Sequence, residues 1–282
     1  IMRHADVTYD LRSAIMQQGK LDPDHLKLHD FGVNVVWRCL TNDSINLTLR
    51  RLQAKELNSG LTLHDTKLKL VGNQQSATFS DLDLSMPHSH LTADSLYAEY
   101  GKWSTDRTFT FRTTSISGHI TPRDLAPLYC KLSSLTDAID LSLSAEGNEQ
   151  EIRVKECHVA TKNEGIMLRA TAQISRPFDQ QKRNLHADIN TLHINSDEMH
   201  SWADVLMPDH QEDRLINAIH EINYNGTVDY AANGNLFSTG NLTTGIGHAT
   251  YDLTYDATHF LTGTINGDSI NLGKLQEDER FG

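Results

Sequence analysis

The chain has 282 residues, with 25 Lys and Arg against 37 Asp and Glu, and its formal charge of −12 would repel a phosphate backbone unless a local basic patch offset it. The densest basic runs, Arg50-Arg51 and Lys182-Arg183, carry two charges each, which argues against a nucleic-acid partner. Hydrophobic residues make up 38% of the chain and charged residues 22%, too little oil for a compact globule and too regular a pattern for disorder; no stretch approaches the ~18 apolar residues of a membrane-spanning helix.

From the first residue onward, period-two alternation dominates, the mark of strands with one greasy and one wet face. It is carried by Val33-x-Val35-x-Trp37, Ile45-x-Leu47-x-Leu49, Leu61-x-Leu63, Leu68-x-Leu70 and Leu82-x-Leu84, then by Phe109-x-Phe111, Leu141-x-Leu143, Ile152-x-Val154 and Leu168-x-Ala170. Val228-x-Tyr230 and Tyr251-x-Leu253-x-Tyr255 continue it. Between the runs stand Asn42-Asp43, Asn58-Ser59-Gly60, Gly72-Asn73, Gly147-Asn148, Asn163-Glu164-Gly165 and Asn233-Gly234-Asn235, residue types that tolerate the positive φ of hairpin turns. The fold class expected is mainly β: an elongated, curled antiparallel β-meander sheet, groove-like and repetitive, with a few short amphipathic helices.

Two helical interruptions are predicted. Thr121 is placed to cap a helix with Pro122 at its first position and Asp124 in its first turn, and Leu125, Leu128, Tyr129 and Leu132 share a face that Pro127 keeps short or bent. Asn195 with Glu198 has capping-box spacing ahead of Met199, Trp202, Ala203 and Leu206, and Asp209 with Glu212 opens a further helix carrying Leu215, Ile216 and Ile219. These stripes need a partner, so the helices near Pro122 and Asp197 are expected to lie as lids on the apolar side of the sheet.

The interruptions also form a repeat. His119-Ile120-Thr121-Pro122-Arg123-Asp124-Leu125 aligns with His193-Ile194-Asn195-Ser196-Asp197-Glu198-Met199, about 75 residues on, and Ser269-Ile270-Asn271-Leu272-Gly273-Lys274-Leu275 begins a weaker third copy. The division implied is a first β region at 1–118, repeats at 119–192 and 193–268, and the start of a further repeat at 269–282. Both ends interrupt the pattern, so a segment of a longer protein is expected.

Residues that could carry chemistry do not converge. Cys39, Cys130 and Cys157 are odd in number and lack C-x-x-C spacing, so no disulfide framework and no cysteine zinc site is expected. Asn-x-Ser/Thr sequons at Asn42, Asn46, Asn225 and Asn241 read as chance in an Asn- and Thr-rich chain. His88-x-His90 would put two imidazoles on one strand face, but no third ligand accompanies them, so no metal and no cofactor is expected. Gly245-Ile246-Gly247 lacks the third glycine and the βαβ context of a dinucleotide site. Asp81 and Asp83 alternate with Leu82 and Leu84, which makes them the wet face of a strand rather than a catalytic pair. No catalytic residue is assigned, and an enzyme is not expected.

Glu56-Leu57-Asn58-Ser59-Gly60-Leu61, followed by Leu63, Leu68 and Leu70, and then Phe79-Ser80-Asp81-Leu82-Asp83-Leu84-Ser85-Met86-Pro87-His88-Ser89-His90-Leu91, resembles the AsmA/TamB-like family. That family repeats an acidic-x-x-Ser-Gly-Leu turn, two strands and a Pro-x-Ser-x-Leu turn. Tyr97-x-x-Tyr100 and Ile120 with Asp124-Leu125-Ala126-Pro127-Leu128 are also similar to it, and the likeness runs over about residues 20 to 275.

The resemblance implies a translocation and assembly module anchored in the inner membrane of a diderm bacterium, with this segment in the periplasm and the anchor outside it. It implies no catalytic residues. Phospholipid acyl chains are the implied cargo, and an outer-membrane barrel assembly protein of the TamA type is an implied partner. Candidate lipid-contact residues are Val33, Val35, Leu47, Leu49, Leu61, Leu63, Leu68, Leu70, Leu82, Leu84, Leu141, Leu143, Ile152 and Val154. A competing reading is a periplasmic or surface adhesin-like β module that binds protein or glycan.

Overall fold

Alternating residues separated by Asn- and Gly-bearing turns form sixteen strands among the described residues. The computed structural model describes residues 1–11, 19–101, 105, 108–179, 181–206, 213–258 and 260–271. Side chains of Asp204, Leu206, Asp213, Arg214 and Leu215 lie outside that description, as do the capping pair Asp209 and Glu212 and the third repeat copy from Leu272 onward. The chain divides into two units, Ile1–Ser144 and Ala145–Gly282.

The first unit carries β1 (Met2–Asp10), β2 (His25–Leu40), β3 (Ser44–Glu56), β4 (Thr62–Asn73), β5 (Ser76–Ser85), β6 (His90–Glu99), β7 (Thr110–Thr113), β8 (Ile116–Ile120) and the start of β9 (Ile139–Asn148). Each strand through β6 pairs antiparallel with its predecessor. The pair β7 and β8 acts as one interrupted strand: β7 pairs with the later half of β6, β8 pairs with its earlier half, and β8 also pairs with β9. In the second unit β10 (Glu151–Thr161), β11 (Ile166–Ser175), β12 (Asn184–Asn195), β13 (Glu221–Tyr230), β14 (Leu236–Thr244), β15 (Gly247–Tyr255) and β16 (Leu261–Asp268) follow the same rule. The meander read from the alternation is therefore the fold.

The Asn residues build the turns. Asn73 Oδ1 accepts from the backbone N–H groups of Gln75 and Ser76 at 2.7 and 2.9 Å, and Asn148 Oδ1 accepts from Gln150 and Glu151 at 2.8 and 2.9 Å. Each side chain replaces a backbone turn bond and brings the next strand back antiparallel.

After β8 the chain makes two short 3-10 turns, Pro122–Leu125 and Cys130–Ser134, instead of the helix expected there. Thr121 does not cap: its hydroxyl donates to the His88 carbonyl at 2.9 Å, and Pro127 ends the helical run. After β12 come α1 (Ser196–Leu206) and α2 (Asp213–Ile219). Here the cap forms, with Asn195 Oδ1 accepting from the Glu198 N–H at 2.9 Å.

No large side chain among the described residues is fully buried. Buried apolar positions are few among the described residues: Ala77 and Ala93 sit within strands, Leu135, Ala203 and Val205 belong to the helical connections, and Tyr224 is a buried aromatic in β13. Neither unit is organised around a central oily core.

Candidate functional site

Directly paired residues in an antiparallel sheet share a face, so the register assigns every side chain to one side. In the first unit, Trp37, Leu47, Leu70, Phe79 and Leu96 form one cross-strand row. Val35, Leu49 and Leu68 form the next. A third runs through Val33, Leu52, Thr66, Leu84, Leu91, Gly118 and Leu141, with Leu82, Ala93, Ile116 and Leu143 beside it. Leu63 faces Ala54 on the same side, and Leu61 precedes β4 with its carbonyl accepting from the Glu56 N–H at 2.8 Å.

The second unit repeats the pattern. Ile152, Ile174, Leu185, Tyr230, Leu236, Tyr255 and Leu261 align; so do Val154, Ala172, Ala187, Val228, Ser238 and Leu253, and Val159, Leu168, Leu192, Tyr224, Leu242 and Ala249. All fourteen candidate contact residues are only half-buried. The register gathers those that lie in strands, all but Leu61, on one face of each unit, and nothing described covers them as a sandwich partner would.

The opposite face is wet. Lys67, Asp83, Thr92, Ser117 and Ser142 form one row there, and Asp65, Ser85, His90, His119 and Asp140 another. Lys67 lies 3.0 Å from Asp65 and 3.8 Å from Asp83, and the hydrogen bond to Asp65 pushes its pKa up. Asp81 bonds Lys69, so the two aspartates of this strand each have a lysine partner. His90 bonds Asp83 at 2.9 Å, whereas His88 stands in the turn before β6 and bonds Asp124, so the His88-x-His90 spacing does not put both rings on one strand face. Among the described residues no group of three or more His, Cys, Asp or Glu is arranged to hold a metal ion, and no helix is long and apolar enough to cross a membrane.

Buried polar groups gather at the strand ends that carry the helical connections. Asp124 accepts from the His88 backbone N–H at 2.8 Å, the Ser89 hydroxyl at 2.8 Å and the His88 ring at 3.1 Å. Burial alone would raise its pKa, but these bonds outweigh that and hold the carboxyl below its usual range. Glu56 is alike: the Lys27 N–H at 3.0 Å and the Ser59 N–H and hydroxyl at 2.6 Å overcome burial and lower its pKa. The acidic-x-x-Ser-Gly-Leu and Pro-x-Ser-x-Leu segments thus act as anchors that fasten turns to the sheet.

The repeat has a shared contact too. The backbone N–H of Thr121 bonds Ser89 Oγ at 2.9 Å, that of Asn195 bonds the Gly165 carbonyl at 2.8 Å, and that of Asn271 bonds the Ile246 carbonyl at 2.7 Å. In each copy the residue after the Ile is held by a neighbouring hairpin turn. The buried pair Asp22 and His25, 3.0 Å apart, escaped the sequence reading, and its Asp-x-x-His spacing was the available signal.

The connection after β8 does not cover the apolar face as a lid. Leu128 is 56% exposed and Tyr129 46%, while Leu125 is half-buried. Instead the segment docks on the β1–β2 connection, where the Leu21 N–H donates to the Pro127 carbonyl at 2.8 Å. Met199 and Trp202 are half-buried, and the side chain of Leu206 lies outside the described residues.

On the apolar face of the second unit, residues of β14, β15 and β16 line one hollow of about 430 Å3, among them Leu236, Leu242, Leu253, Tyr255 and Ile265. Tyr224, buried beside it, stacks on Tyr251 at 6.0 Å between ring centroids. Burial pushes its hydroxyl pKa up to about 12. Its ring lies over Gly240, where a Cβ would meet Tyr224 Cε2 at 2.5 Å, so the glycine leaves room for the aromatic side chain. Comparison with models of protein families, with curated proteins and with solved structures finds no match.

Proposed function

We propose that this chain is a non-enzymatic scaffold segment whose apolar face shields phospholipid acyl chains on their way between the inner and outer membranes and/or assists outer-membrane protein assembly. One observation carries the reading: cross-strand apolar rows continue from strand to strand in each unit, yet their side chains stay half-exposed. An uncovered apolar surface of that extent has a cost in water and marks a contact site. Each acyl methylene carried through water costs about 0.8 kcal/mol, so a chain of about fifteen carbons costs on the order of 12 kcal/mol unshielded.

A curled sheet would suit the same reading, and the contact between the connection after β8 and the β1–β2 connection, Leu21 N–H to the Pro127 carbonyl at 2.8 Å, is compatible with one. The hollow on the second unit's apolar face fits a concave surface as well.

The test places a photocrosslinker at Val35, Leu63 or Leu70 and, separately, at Asp81 or Asp83 on the wet face, in the folded chain mixed with phospholipid vesicles. Lipid capture from the first set and little from the second is the expected result. Equal capture from both faces, or none from the apolar face, would overturn the reading.

A further inference from the structure

In the second unit the two rims of the sheet, where the strands turn, differ in chemistry. One rim holds the connections at 149–150, 176–183, 231–235 and 256–260, and the other those at 162–165, 196–220 and 245–246. The first carries the exposed aromatic residues. Phe260 at 69% and Phe178 at 67% stand in connections, Tyr230 and Tyr255 close β13 and β15, and Phe237, at 40%, is the second residue of β14. Among the described residues of the other rim no Phe, Tyr or Trp is exposed. The charges differ as well: the connections of the aromatic rim hold Arg176, Lys182 and Arg183 against Glu149, Asp179 and Asp256, whereas residues 196–220 carry six carboxylates against one cation.

Phe237 is the residue that alternation does not explain. It pairs directly with Asp229 and Thr254, and His186 and Thr262 continue that row, so it stands on the wet face. Tyr230 and Tyr255 both pair with Leu236 and stand on the apolar face. Aromatic rings therefore surround the rim on both faces and on its turns. A flat partner meeting one face would leave the others in water, whereas a medium that closes round the rim would cover them all. Nor does the exposure come from looseness. The Arg176 N–H donates to the Gln150 carbonyl at 2.6 Å, the Ala232 N–H to Asn184 Oδ1 at 3.1 Å and the Ala257 N–H to Asn235 Oδ1 at 3.1 Å, so the four connections are fastened in series. Asp256 Oδ1 accepts from the Thr258 and Phe260 N–H groups at 2.9 and 3.0 Å and fixes the turn that presents Phe260. Held in this way, the rim loses little freedom on binding.

We propose that this rim is a membrane-docking edge that seats in the headgroup region of a phospholipid bilayer. Phe and Tyr rings suit that region because it offers apolar contact to the ring and leaves the polar groups beside it hydrated. Arg176, Lys182 and Arg183 flank Phe178 within one connection, where they can meet lipid phosphates. Their balance with the three carboxylates leaves the rim without net charge, so an anionic surface does not repel it, while the acidic rim lies at the opposite ends of the same strands. Tyr230 and Tyr255 close apolar rows of this unit, so an acyl chain leaving the bilayer at the rim passes directly onto the apolar face. The purpose of the docking rests on the acyl-shielding reading; the docking itself does not.

The experiment floats the full chain with vesicles of phosphatidylcholine alone and, separately, follows capture of a short-chain phosphatidylcholine, kept below its micelle concentration, by a photocrosslinker at Leu70. The parent chain should bind the vesicles. Phe237→Thr combined with Phe260→Ser, neither on the apolar face, should weaken that binding by about tenfold or more and leave capture at Leu70 unchanged. Leu128→Ser with Tyr129→Ser, which removes comparably exposed apolar groups elsewhere, should change neither. Circular dichroism melts establish that each variant folds. A parent chain that does not bind vesicles, a rim variant that binds them as well as the parent, or equal losses from the two double variants would overturn the proposal. So would self-association without lipid that depends on Phe237 and Phe260, read by sedimentation velocity, since a second copy would then be what covers the rim. Vesicle binding that depends on the rim, with no capture at Leu70 even in the parent, would uphold the docking edge and remove the acyl-shielding reading.

Discussion

Asp124 offers the sharpest test of how a fold without an oily core is held. Replacing it by Ala removes the acceptor for the His88 N–H and the Ser89 hydroxyl, both in a turn where Ser89 is only 4% exposed. The His88 ring bond counts for little, because that side chain is 60% exposed and water replaces the lost partner. Hydrogen bonds to a charged group contribute about 1.5–3 kcal/mol each, so two of them place the loss at about 3–6 kcal/mol. That is a large fraction of the about 5–15 kcal/mol that holds an ordinary domain. Urea denaturation should show a lower midpoint with an unchanged slope, and hydrogen exchange should accelerate at His88–Leu91 before it does in β10 and β11. Asp124→Asn, which keeps one carbonyl acceptor, should fall between the two. The folded carboxyl titrates below its unfolded value, so its stabilising effect is complete above about pH 3.9 and is lost as pH falls through the folded pKa; the Ala variant should lack that acid-dependent component. A loss under about 1 kcal/mol would refute the view that the turn anchors stabilise the sheet.

Further outcomes follow from other contacts. Asp229 bonds the His186 ring at 2.7 Å and raises its pKa, so Asp229→Asn should move the His186 titration measured by NMR to lower pH. The stabilisation from that pair is present below about pH 6.5 and fades as pH rises through the folded pKa, and its exposure keeps it to at most about 1 kcal/mol. Gly240→Ala places a methyl 2.4 Å from the Asn225 carbonyl and 2.5 Å from the Tyr224 ring, an overpacking that should cost about 1–3 kcal/mol in thermal unfolding. Burial pushes the Cys157 thiol pKa up while Cys130 is exposed, so maleimide at neutral pH should modify Cys130 first, as read by peptide mass; equal rates would contradict the half-buried placement.

The strands were legible because alternation reports a buried face directly, and the hairpins because Asn73, Asn148 and Asn163 bond their own backbone two or three residues on. What the sequence could not reveal was where side-chain polar groups find partners distant in the chain. Thr121 was a plausible helix cap by local rules, yet Ser89 and His88, more than thirty residues earlier, claim both its N–H and its hydroxyl. Removing the cap leaves Pro122 to start only a 3-10 turn. Leu128 fell on an apolar stripe by spacing, but that stripe presumed an α-helix, and the observed turns rotate it outward. Asp22 with His25 passed unnoticed because two polar residues in a Pro-containing segment look like a solvated loop until burial is known.

The apolar face is exposed at the level of side chains: a single layer gives each residue neighbours along its row and in adjacent strands but none above, so the rows remain half-buried however well the strands pair. Leu70→Asp therefore places a charge against any hydrocarbon on that face. Ser117→Asp adds the same charge on the wet face, in the row between Thr92 and Ser142. If lipid capture falls with the first change and not with the second, in variants that both fold, the apolar rows are the contact surface. Equal losses from the two would mean that the added charge, and not the face it stands on, governs capture, and the acyl-shielding role would fall.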